Sequence, residues 1–272
     1  MESSDPMEKL LAEVRDVVRA AGLLVEQVRS EGAAASRKAD RSLVTRADRE
    51  VDALLRAQLP RLAPAAWLSE ETADDGARLR SSRLWVVDPL DGTREFVQGL
   101  PEYSVAVALV EDGLPILGVV HHPPSRLTYW AARGAGAFQD GTSIRVAEGG
   151  TALASRSEVG KGEFAPFTAS WELRPVGSIQ LKLAMVGAGE AAATWSRGPK
   201  HEWDVCAGAL IVEEAGGRAT DAFGGLLRYN NAFPKVKGVL AAAPQAYERA
   251  LAQLTEAGPS GRMAEFDDIP KG

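Results

Sequence analysis

The stretch RLWVVDPLDGTREFVQG, residues 83–99, sends an apolar segment straight into two aspartates. The run LWVVD predicts a buried β-strand that ends at Asp88, and Pro89 favours an extended backbone there. Asp91 follows after a tight turn, which returns its carboxylate toward that of Asp88. Carboxylates this close repel each other unless one is protonated or a cation lies between them. Any fold for this chain must therefore relieve the repulsion at this strand end.

Two interpretations of the aspartates are open from the residues alone. In the first, Asp88 and Asp91 lie in a solvated turn, where Asp is frequent. In the second, they bind a hard cation such as Mg²⁺, Mn²⁺ or Ca²⁺, which prefers oxygen ligands. The backbone carbonyl of Leu90 is then a further candidate ligand.

Gly92 and Thr93 add the elements of a phosphate site. A helix is predicted over Thr93–Val97, and the free N–H groups at a helix start suit a phosphate. Gly92 lets the backbone approach closely. Thr93 can orient or deprotonate a water beside a carboxylate, for which Glu70 or Glu71 is the natural partner. A cation and a phosphate in one site indicate phosphoester hydrolysis.

A further acid, Asp204, lies at the start of a predicted helix over residues 203–217. By itself it is interpreted as an N-cap, because Asp commonly accepts backbone N–H groups there. It is also a candidate ligand for the cation at Asp88 and Asp91. The nearby Cys206 is predicted to be a small core residue.

Composition limits the partners of the chain. Its 272 residues are 45% apolar, so the chain can bury a large core. Its net charge of −6 means that it lacks the excess of Lys and Arg with which proteins bind nucleic-acid polymers. A small phosphorylated substrate is the expected partner, and a homodimer is allowed. A single cysteine fits a reducing cytoplasm. No signal-peptide pattern and no apolar run of about 18 residues is present, so no membrane association is expected.

Helices and strands alternate through both halves, which favours an α/β or α+β fold. Helices are predicted at 7–29, 47–59, 179–189, 203–217 and 245–258, and strands within 65–72, 84–88, 104–112, 115–123, 127–147, 152–155, 174–178 and 236–244. Residues 31–42 are predicted to form a loop, and Pro60 to lie beyond the second helix. A break near 148–150 separates an N-terminal α+β half, 1–147, from a C-terminal α/β half, 148–263. Residues 264–272 are expected to form a flexible tail.

Three motifs together resemble a known family. They are SEET (69–72), WVVDPLDGTREF (85–96) and WDVCAGALIVEEAGG (203–217), and in this order and spacing they resemble the inositol monophosphatase superfamily. Its members are Mg²⁺-dependent, lithium-sensitive phosphatases. The resemblance runs from residue 43 to the last predicted strand. It implies a layered α-β-α-β-α sandwich of the sugar-phosphatase type, with two sheets and the active site between the two halves.

The resemblance also implies a set of site residues. One Mg²⁺ would be held by Glu70, Asp88 and the Leu90 carbonyl, a second by Asp88, Asp91 and Asp204, and a third, weaker ion near Glu70. Thr93, backed by Asp48, would help to activate the nucleophilic water held by Glu70. The N–H groups of Gly92 and Thr93 would receive phosphate oxygens, with Asp204 also touching the substrate.

Within the superfamily, the DGTREF variant with Glu95 resembles the bacterial 3′(2′),5′-bisphosphate nucleotidases. The segments GSIQLK (177–182), SRGPKHEWD (196–204) and LLRYNN (226–231) favour the same branch, and they imply Ser178, Lys182 and Arg197 as substrate-binding residues. The implied reaction converts adenosine 3′,5′-bisphosphate to AMP and phosphate. The alternative is an inositol-1-monophosphatase or related polyol phosphatase on the same metal site. Lys182 and Arg197 decide between them, unless they are merely solvated surface cations.

Overall fold

A computed structural model of the chain describes residues 6–32, 35–37 and 43–260. Its α-helices are α1 (Pro6–Glu31), α2 (Arg46–Leu62), α3 (Thr93–Val97), α4 (Arg156–Gly160), α5 (Ile179–Gly187), α6 (Glu202–Glu214) and α7 (Pro244–Ala257). Its strands are β1 (Ala35–Arg37), β2 (Leu43–Thr45), β3 (Ala66–Ser69), β4 (Arg83–Asp91), β5 (Ser104–Glu111), β6 (Leu114–His122), β7 (Leu127–Ala132), β8 (Gly136–Gln139), β9 (Thr142–Ile144), β10 (Thr151–Ser155), β11 (Glu172–Val176), β12 (Ala193–Ser196), β13 (Lys200–His201), β14 (Arg218–Thr220), β15 (Lys235–Val236) and β16 (Val239–Ala242). Short 3₁₀ turns lie at Ala77–Arg80 and Ala165–Phe167.

Two large sheets organise these strands. The first has seven strands in the order β3-β4-β5-β6-β7-β8-β9, and all its pairs are antiparallel except β3 with β4. The second has five strands in the order β11-β10-β12-β16-β14. Two smaller ladders pair β1 with β2 and β13 with β15. Because the second strand of the first sheet is β4, the Asp88 strand lies inside the sheet.

Three apolar cores separate five layers. Alternate residues of β4 and β5 face opposite ways, as the strand period requires. Trp85 and Val87 pack under α1 and α2, whereas Leu84 and Val86 pack against α5 and α6. The same α5–α6 layer buries the inner face of the five-stranded sheet, and α7 covers its outer face around Tyr247. The predicted α-β-α-β-α sandwich is therefore confirmed.

The α5–α6 layer approaches the first sheet closely at one point. A Cβ on Gly118 of β6 would lie 2.9 Å from the carbonyl oxygen of Ala207 in α6. Only glycine leaves room for this approach, and it fixes the helix that carries Asp204 against the sheet that carries Asp88.

Two local predictions were wrong. Helix α2 runs on to Leu62 and includes Pro60. Proline removes one backbone hydrogen bond from a helix, but Leu59 and Leu62 pack this last turn against the core. Residues 35–37, predicted as loop, form a strand that pairs with β2. Residues 33–34 and 38–42 of that predicted loop, and the predicted tail at 264–272, lie outside the described residues.

None of the helices in the described residues is long and apolar enough to span a membrane. As predicted from the sequence, Cys206 is a buried free thiol inside α6.

Candidate active site

A cavity of about 410 Å³ lies between the two halves of the fold. The end of β4 and the start of α3 form one wall, and the first turns of α5 and α6 with the ends of β10 and β12 form the other. The predicted residues on this cavity are Glu70, Asp88, Leu90, Asp91, Gly92, Thr93, Ser178, Lys182 and Asp204. Most of the residues that the sequence motifs single out therefore meet in one place.

The turn between Asp88 and Thr93 is built around a glycine. Asp88 is buried, and its Oδ1 accepts the backbone N–H of Leu90 at 3.2 Å. Gly92 has a φ of +93°, and a Cβ there would lie 2.6 Å from the carbonyl oxygen of Glu102. A larger residue would meet both backbone strain and a clash. The turn consequently packs its backbone against Glu102, and Gly92 and Thr93 line the cavity on its other side.

Thr93 is held by the predicted carboxylate. Its Oγ1 lies 3.0 Å from Asp48 Oδ1 and 3.0 Å from the carbonyl oxygen of Leu90. Asp48 is fixed in turn, because its Oδ2 accepts the N–H of Thr45 at 2.7 Å and the Thr45 hydroxyl at 2.5 Å. Burial raises the pKa of Asp48, and these hydrogen bonds oppose the rise. The capping box that begins α2 is thus also the support of Thr93.

A residue absent from the sequence predictions, Asp52, fixes the turn that carries Glu70. Asp52 lies one helical turn after Asp48 on α2. Its Oδ1 accepts the Ser69 hydroxyl at 2.5 Å, and its Oδ2 accepts the Thr72 hydroxyl at 2.9 Å. The i,i+4 spacing of the two aspartates was the signal that could have found it.

Asp91 is anchored by the second half of the chain. Its Oδ2 accepts the Ser178 hydroxyl at 2.7 Å and the N–H of Gln180 at 2.6 Å. Ser178 is the N-cap of α5, and its Oγ also accepts the N–H of Leu181 at 3.0 Å. Ser178 was predicted to bind substrate, but its single O–H donor is directed to Asp91. The structure gives it the role of a tether between the two walls of the cavity.

The prediction that Asp204 is the N-cap of its helix was wrong. It is the third residue of α6 rather than the N-cap, and its Oδ2 accepts the N–H of the N-cap residue His201 at 2.8 Å. The same carboxylate lines the cavity. Burial raises the pKa of Asp204 to about 6, with Asp91 adding to the rise and Lys200 opposing it.

The acids of the cavity carry an unfavourable concentration of negative charge. Burial raises the pKa of Asp88 well above its usual range, and the charges of Glu70, Asp91 and Asp204 raise it further. Burial likewise raises the pKa of Asp91. A bound cation would relieve both the repulsion and the lost hydration.

The donor set fits a hard divalent ion. Every candidate ligand is a carboxylate or carbonyl oxygen, which is what Mg²⁺ prefers. Within the ranges that the structure describes, no three Asp, Glu, His or Cys side chains converge as a ready-made cage. Asp91 and Asp204 instead use one oxygen each on neighbouring donors, so an ion would bind through the oxygens that remain and through the Leu90 carbonyl.

Lys182 is buried and not the solvated helix lysine that the sequence left open. Its Nζ lies 3.2, 3.5 and 3.0 Å from the carbonyl oxygens of Val176, Gly177 and Ser178. Burial lowers the pKa of Lys182 to about 8, and Asp91 and Glu158 oppose that fall. Its three N–H donors are thus directed to backbone carbonyl oxygens. Because Lys182 also lines the cavity, its positive charge still acts there.

Arg197 is not at the cavity, so the prediction that it binds substrate is corrected. Its guanidinium donates to the carbonyl oxygens of Glu163 at 2.9 Å, Gly258 at 3.3 Å and Ala257 at 3.4 Å. It also lies over the ring of Phe167. These acceptors turn Arg197 toward the end of α7, where it joins that helix to the segment at Glu163.

Lys200 lines this wall together with Lys182, and the sequence predictions missed it. Its Nζ lies 3.1 Å from Oε1 of Glu158, and the Ser196 hydroxyl donates to the same oxygen at 2.7 Å. Burial raises the pKa of Glu158, but Lys200 and Ser196 outweigh it and leave the pKa below its usual value. The pair is separated by 42 residues in sequence, and no local pattern predicts it.

The layered fold, the buried acids and the Gly92–Thr93 turn define a metal-assisted phosphatase site. The inositol monophosphatase family model matches residues 7–259. Over 208 residues the chain is 38% identical to a fructose-1,6-bisphosphatase/inositol-1-monophosphatase of Thermotoga maritima, and this alignment covers 72% of this chain and 76% of that protein. Over 232 residues it is 32% identical to the 3′(2′),5′-bisphosphate nucleotidase CysQ of Salmonella typhimurium, which covers 81% and 94%. The solved structure of the Thermotoga maritima IMPase has a TM-score of 0.78 at 30% identity, covering 89% of this chain and 95% of that one.

The chain belongs to the inositol monophosphatase family. It is therefore a metal-dependent phosphatase, as the sequence motifs predicted. The relatives carry different substrate names, so the choice of substrate depends on the side chains that line this cavity.

Proposed function

We propose that this chain hydrolyses the 3′-phosphate of adenosine 3′,5′-bisphosphate, with two or three Mg²⁺ ions, to give AMP and phosphate. The observation that carries the proposal is Lys200, a cation that lines the same cavity as the Gly92–Thr93 turn. A bisphosphate needs positive charge for its second phosphate, whereas a monophosphate does not.

The acids would hold the ions as the family resemblance implies. Glu70, Asp88 and the Leu90 carbonyl would bind one ion, and Asp88 would share the second with Asp91 and Asp204. When bound, Mg²⁺ supplies positive charge against the reacting phosphate and makes water more acidic.

Thr93 and Glu70 would handle the protons of the attacking water. The Thr93 hydroxyl lies 3.0 Å from Asp48 Oδ1, so when it donates there its lone pairs are free to accept a hydrogen bond from water. Thr45 holds the Asp48 carboxylate in place, so this acceptor stays within reach of the Thr93 hydroxyl. Glu70, on the same cavity, would orient the water and take up its proton. The N–H groups of Gly92 and Thr93 would hold phosphate oxygens.

Lys200 would receive the distal phosphate. An ammonium group has three N–H donors, and Glu158 fixes one of them at 3.1 Å. Arg94, exposed beside the cavity, would add charge at its rim. Lys182 contributes charge only, because its donors are directed to carbonyl oxygens.

A second candidate is the hydrolysis of an inositol or other polyol phosphate. The wall around Glu158 also carries the hydroxyl groups of Ser155, Ser157 and Ser196. Carboxylate and hydroxyl oxygens suit the hydroxyl groups of a polyol. The relative at 38% identity is named for inositol 1-phosphate and fructose 1,6-bisphosphate.

The test is a comparison of kcat/KM on adenosine 3′,5′-bisphosphate, inositol 1-phosphate and fructose 1,6-bisphosphate in the presence of Mg²⁺. We expect kcat/KM on the nucleotide to exceed that on the other two substrates by at least about tenfold. That ratio corresponds to the free energy of about one charge-assisted hydrogen bond. A preference for the inositol ester would establish the second candidate instead.

A further inference from the structure

Arg78 joins two distant segments of the chain. Its buried guanidinium donates to Asp74 Oδ2 from Nε at 3.0 Å and from Nη2 at 2.8 Å, which fixes the segment that follows Glu70. The same group donates to Asn230 Oδ1 and to the carbonyl oxygen of Asn231, both at 2.8 Å. Arg78 thus connects the Glu70 segment to residues 152 positions later in the sequence.

Asn230 and Asn231 continue the connection to Glu202, the first residue of α6. The backbone N–H of Asn230 donates to Glu202 Oε2 at 2.8 Å, and that of Asn231 to Oε1 at 2.9 Å. Asn231 Nδ2 also donates to Oε1 at 2.7 Å. Glu202 is 0% exposed, so these donors replace the water that a carboxylate would otherwise bind. Asp204 follows two residues later on the same helical turn.

Asn230 is the central member of this network. Its φ of +66° is a conformation that Asn adopts more readily than most residues. The conformation directs its backbone N–H to Glu202, while its side-chain Nδ2 lies 3.3 Å from the carbonyl oxygen of Arg78 and 3.2 Å from that of Ser81. One residue therefore contacts both sides of the connection.

We propose that Arg78, Asn230 and Glu202 are positioning residues that set the separation of Glu70 and Asp204, and thereby the affinity for Mg²⁺. The inference rests on the metal role proposed for these two acids. Glu70 follows β3 and its N–H donates to the Val87 carbonyl of β4, and α6 packs on the same sheet. The hydrogen-bond network adds a direct link between segment 70–78 and the first residue of α6. Asp204 and Glu70 come from different halves of the chain, and a small shift of either would separate oxygens that must meet at one pair of ions.

Two variants test the network. Asn230→Gly keeps the backbone N–H and tolerates the positive φ, but removes the side chain that contacts Arg78. Arg78→Lys keeps the charge and loses the planar fork of donors. Arg126→Gly, at an exposed turn residue with a φ of +59°, is the matched control for a glycine at positive φ. For each protein, the Mg²⁺ dissociation constant is measured by isothermal titration calorimetry, and the free energy of unfolding by urea without Mg²⁺.

The network predicts that Asn230→Gly and Arg78→Lys each raise the Mg²⁺ dissociation constant by about tenfold or more, whereas Arg126→Gly leaves it unchanged. A variant that is less stable in urea but binds Mg²⁺ as tightly as wild type would show that the network is only structural, and would overturn the inference alone. If wild type itself binds no Mg²⁺, the proposed metal role fails and this inference fails with it.

Discussion

The hydroxyl of Ser178 donates a hydrogen bond of 2.7 Å to Asp91 Oδ2, and so joins the two halves of the chain beside the cavity that both residues line. Ser178 lies at the start of α5 with a φ of +48°, and Asp91 ends β4 in the other half. A tether here holds a carboxylate against the repulsion of its acidic neighbours.

Replacing Ser178 with Ala should destabilise the fold measurably. The change removes the N-cap of α5 and a hydrogen bond to a buried carboxylate, which together stabilise by about 1–3 kcal/mol. The measurement is the free energy of unfolding in urea, with the exposed Ser30→Ala as control. Equal values for the two variants would show that the tether is not important for stability.

The Thr93 hydroxyl should be required for turnover rather than for folding. Thr93→Val keeps the shape of the side chain and should lower kcat by about 100-fold or more, the usual loss for a group that assists proton transfer. Thr93→Ser keeps the hydroxyl within reach of Asp48 and should retain most activity. Steady-state phosphate release measures both. A kcat for Thr93→Val within a few-fold of wild type would contradict the proposed proton path.

Lys200 should matter most for substrates with a second phosphate, although its charge also acts on Asp204. Lys200→Gln keeps a donor for Glu158 but removes the charge, so kcat/KM on adenosine 3′,5′-bisphosphate should fall by about 10- to 100-fold. On 3′-AMP, which lacks the distal phosphate, it should change little. The exposed Lys161→Gln is the control. An equal loss on both substrates would mean that Lys200 acts on the metal site and not on the distal phosphate.

A buried histidine far from the cavity predicts a pH dependence of stability. His121 lies under α1 near Arg19, His122 and Asp140, and its Nδ1 lies 3.0 Å from Oγ1 of Thr128. Burial lowers the pKa of His121 to about 4, with Arg19 and His122 adding to the fall. Folding therefore holds the ring neutral, while the unfolded chain takes up a proton near pH 6.5.

The resulting loss of stability occurs as the pH falls from about 6.5 to about 4, and it amounts to about 3 kcal/mol from this group. Urea unfolding at the two ends of this window should show wild type losing about that much more than His121→Gln. Parallel pH dependences for the two proteins would assign the effect to carboxylates instead.

Much of the site was predictable because its residues lie in short local motifs. The strand that ends at Asp88, the Gly92–Thr93 turn and the helix at Asp204 are set by sequence neighbours. The residues that were missed or misplaced depend on contacts between distant segments. Lys200 and Glu158 lie 42 residues apart. Arg197 donates to the backbone carbonyls of Glu163, Ala257 and Gly258, which no sequence pattern reveals.

The same distinction applies to the fold. The helical periodicities predicted α1, α5, α6 and α7 to within a few residues, since each buries a regular apolar pattern. The family resemblance implied the layers but not the order of strands in the two sheets, because strand pairing depends on long-range packing. Pro60 shows the opposite error: proline usually marks the end of a helix, but α2 continues through Pro60 to Leu62.

The most direct test of the account compares the thermal stability of wild type and Asp88→Asn, each in EDTA and in saturating Mg²⁺. Asp88 is 1% exposed and is repelled by Glu70, Asp91 and Asp204. In EDTA, Asp88→Asn should therefore be at least as stable as wild type. Mg²⁺ should raise the melting temperature of wild type and start phosphate release, and should do neither for Asp88→Asn. If Mg²⁺ stabilised and activated both proteins equally, Asp88 would not be a metal ligand and the account of the site would be wrong.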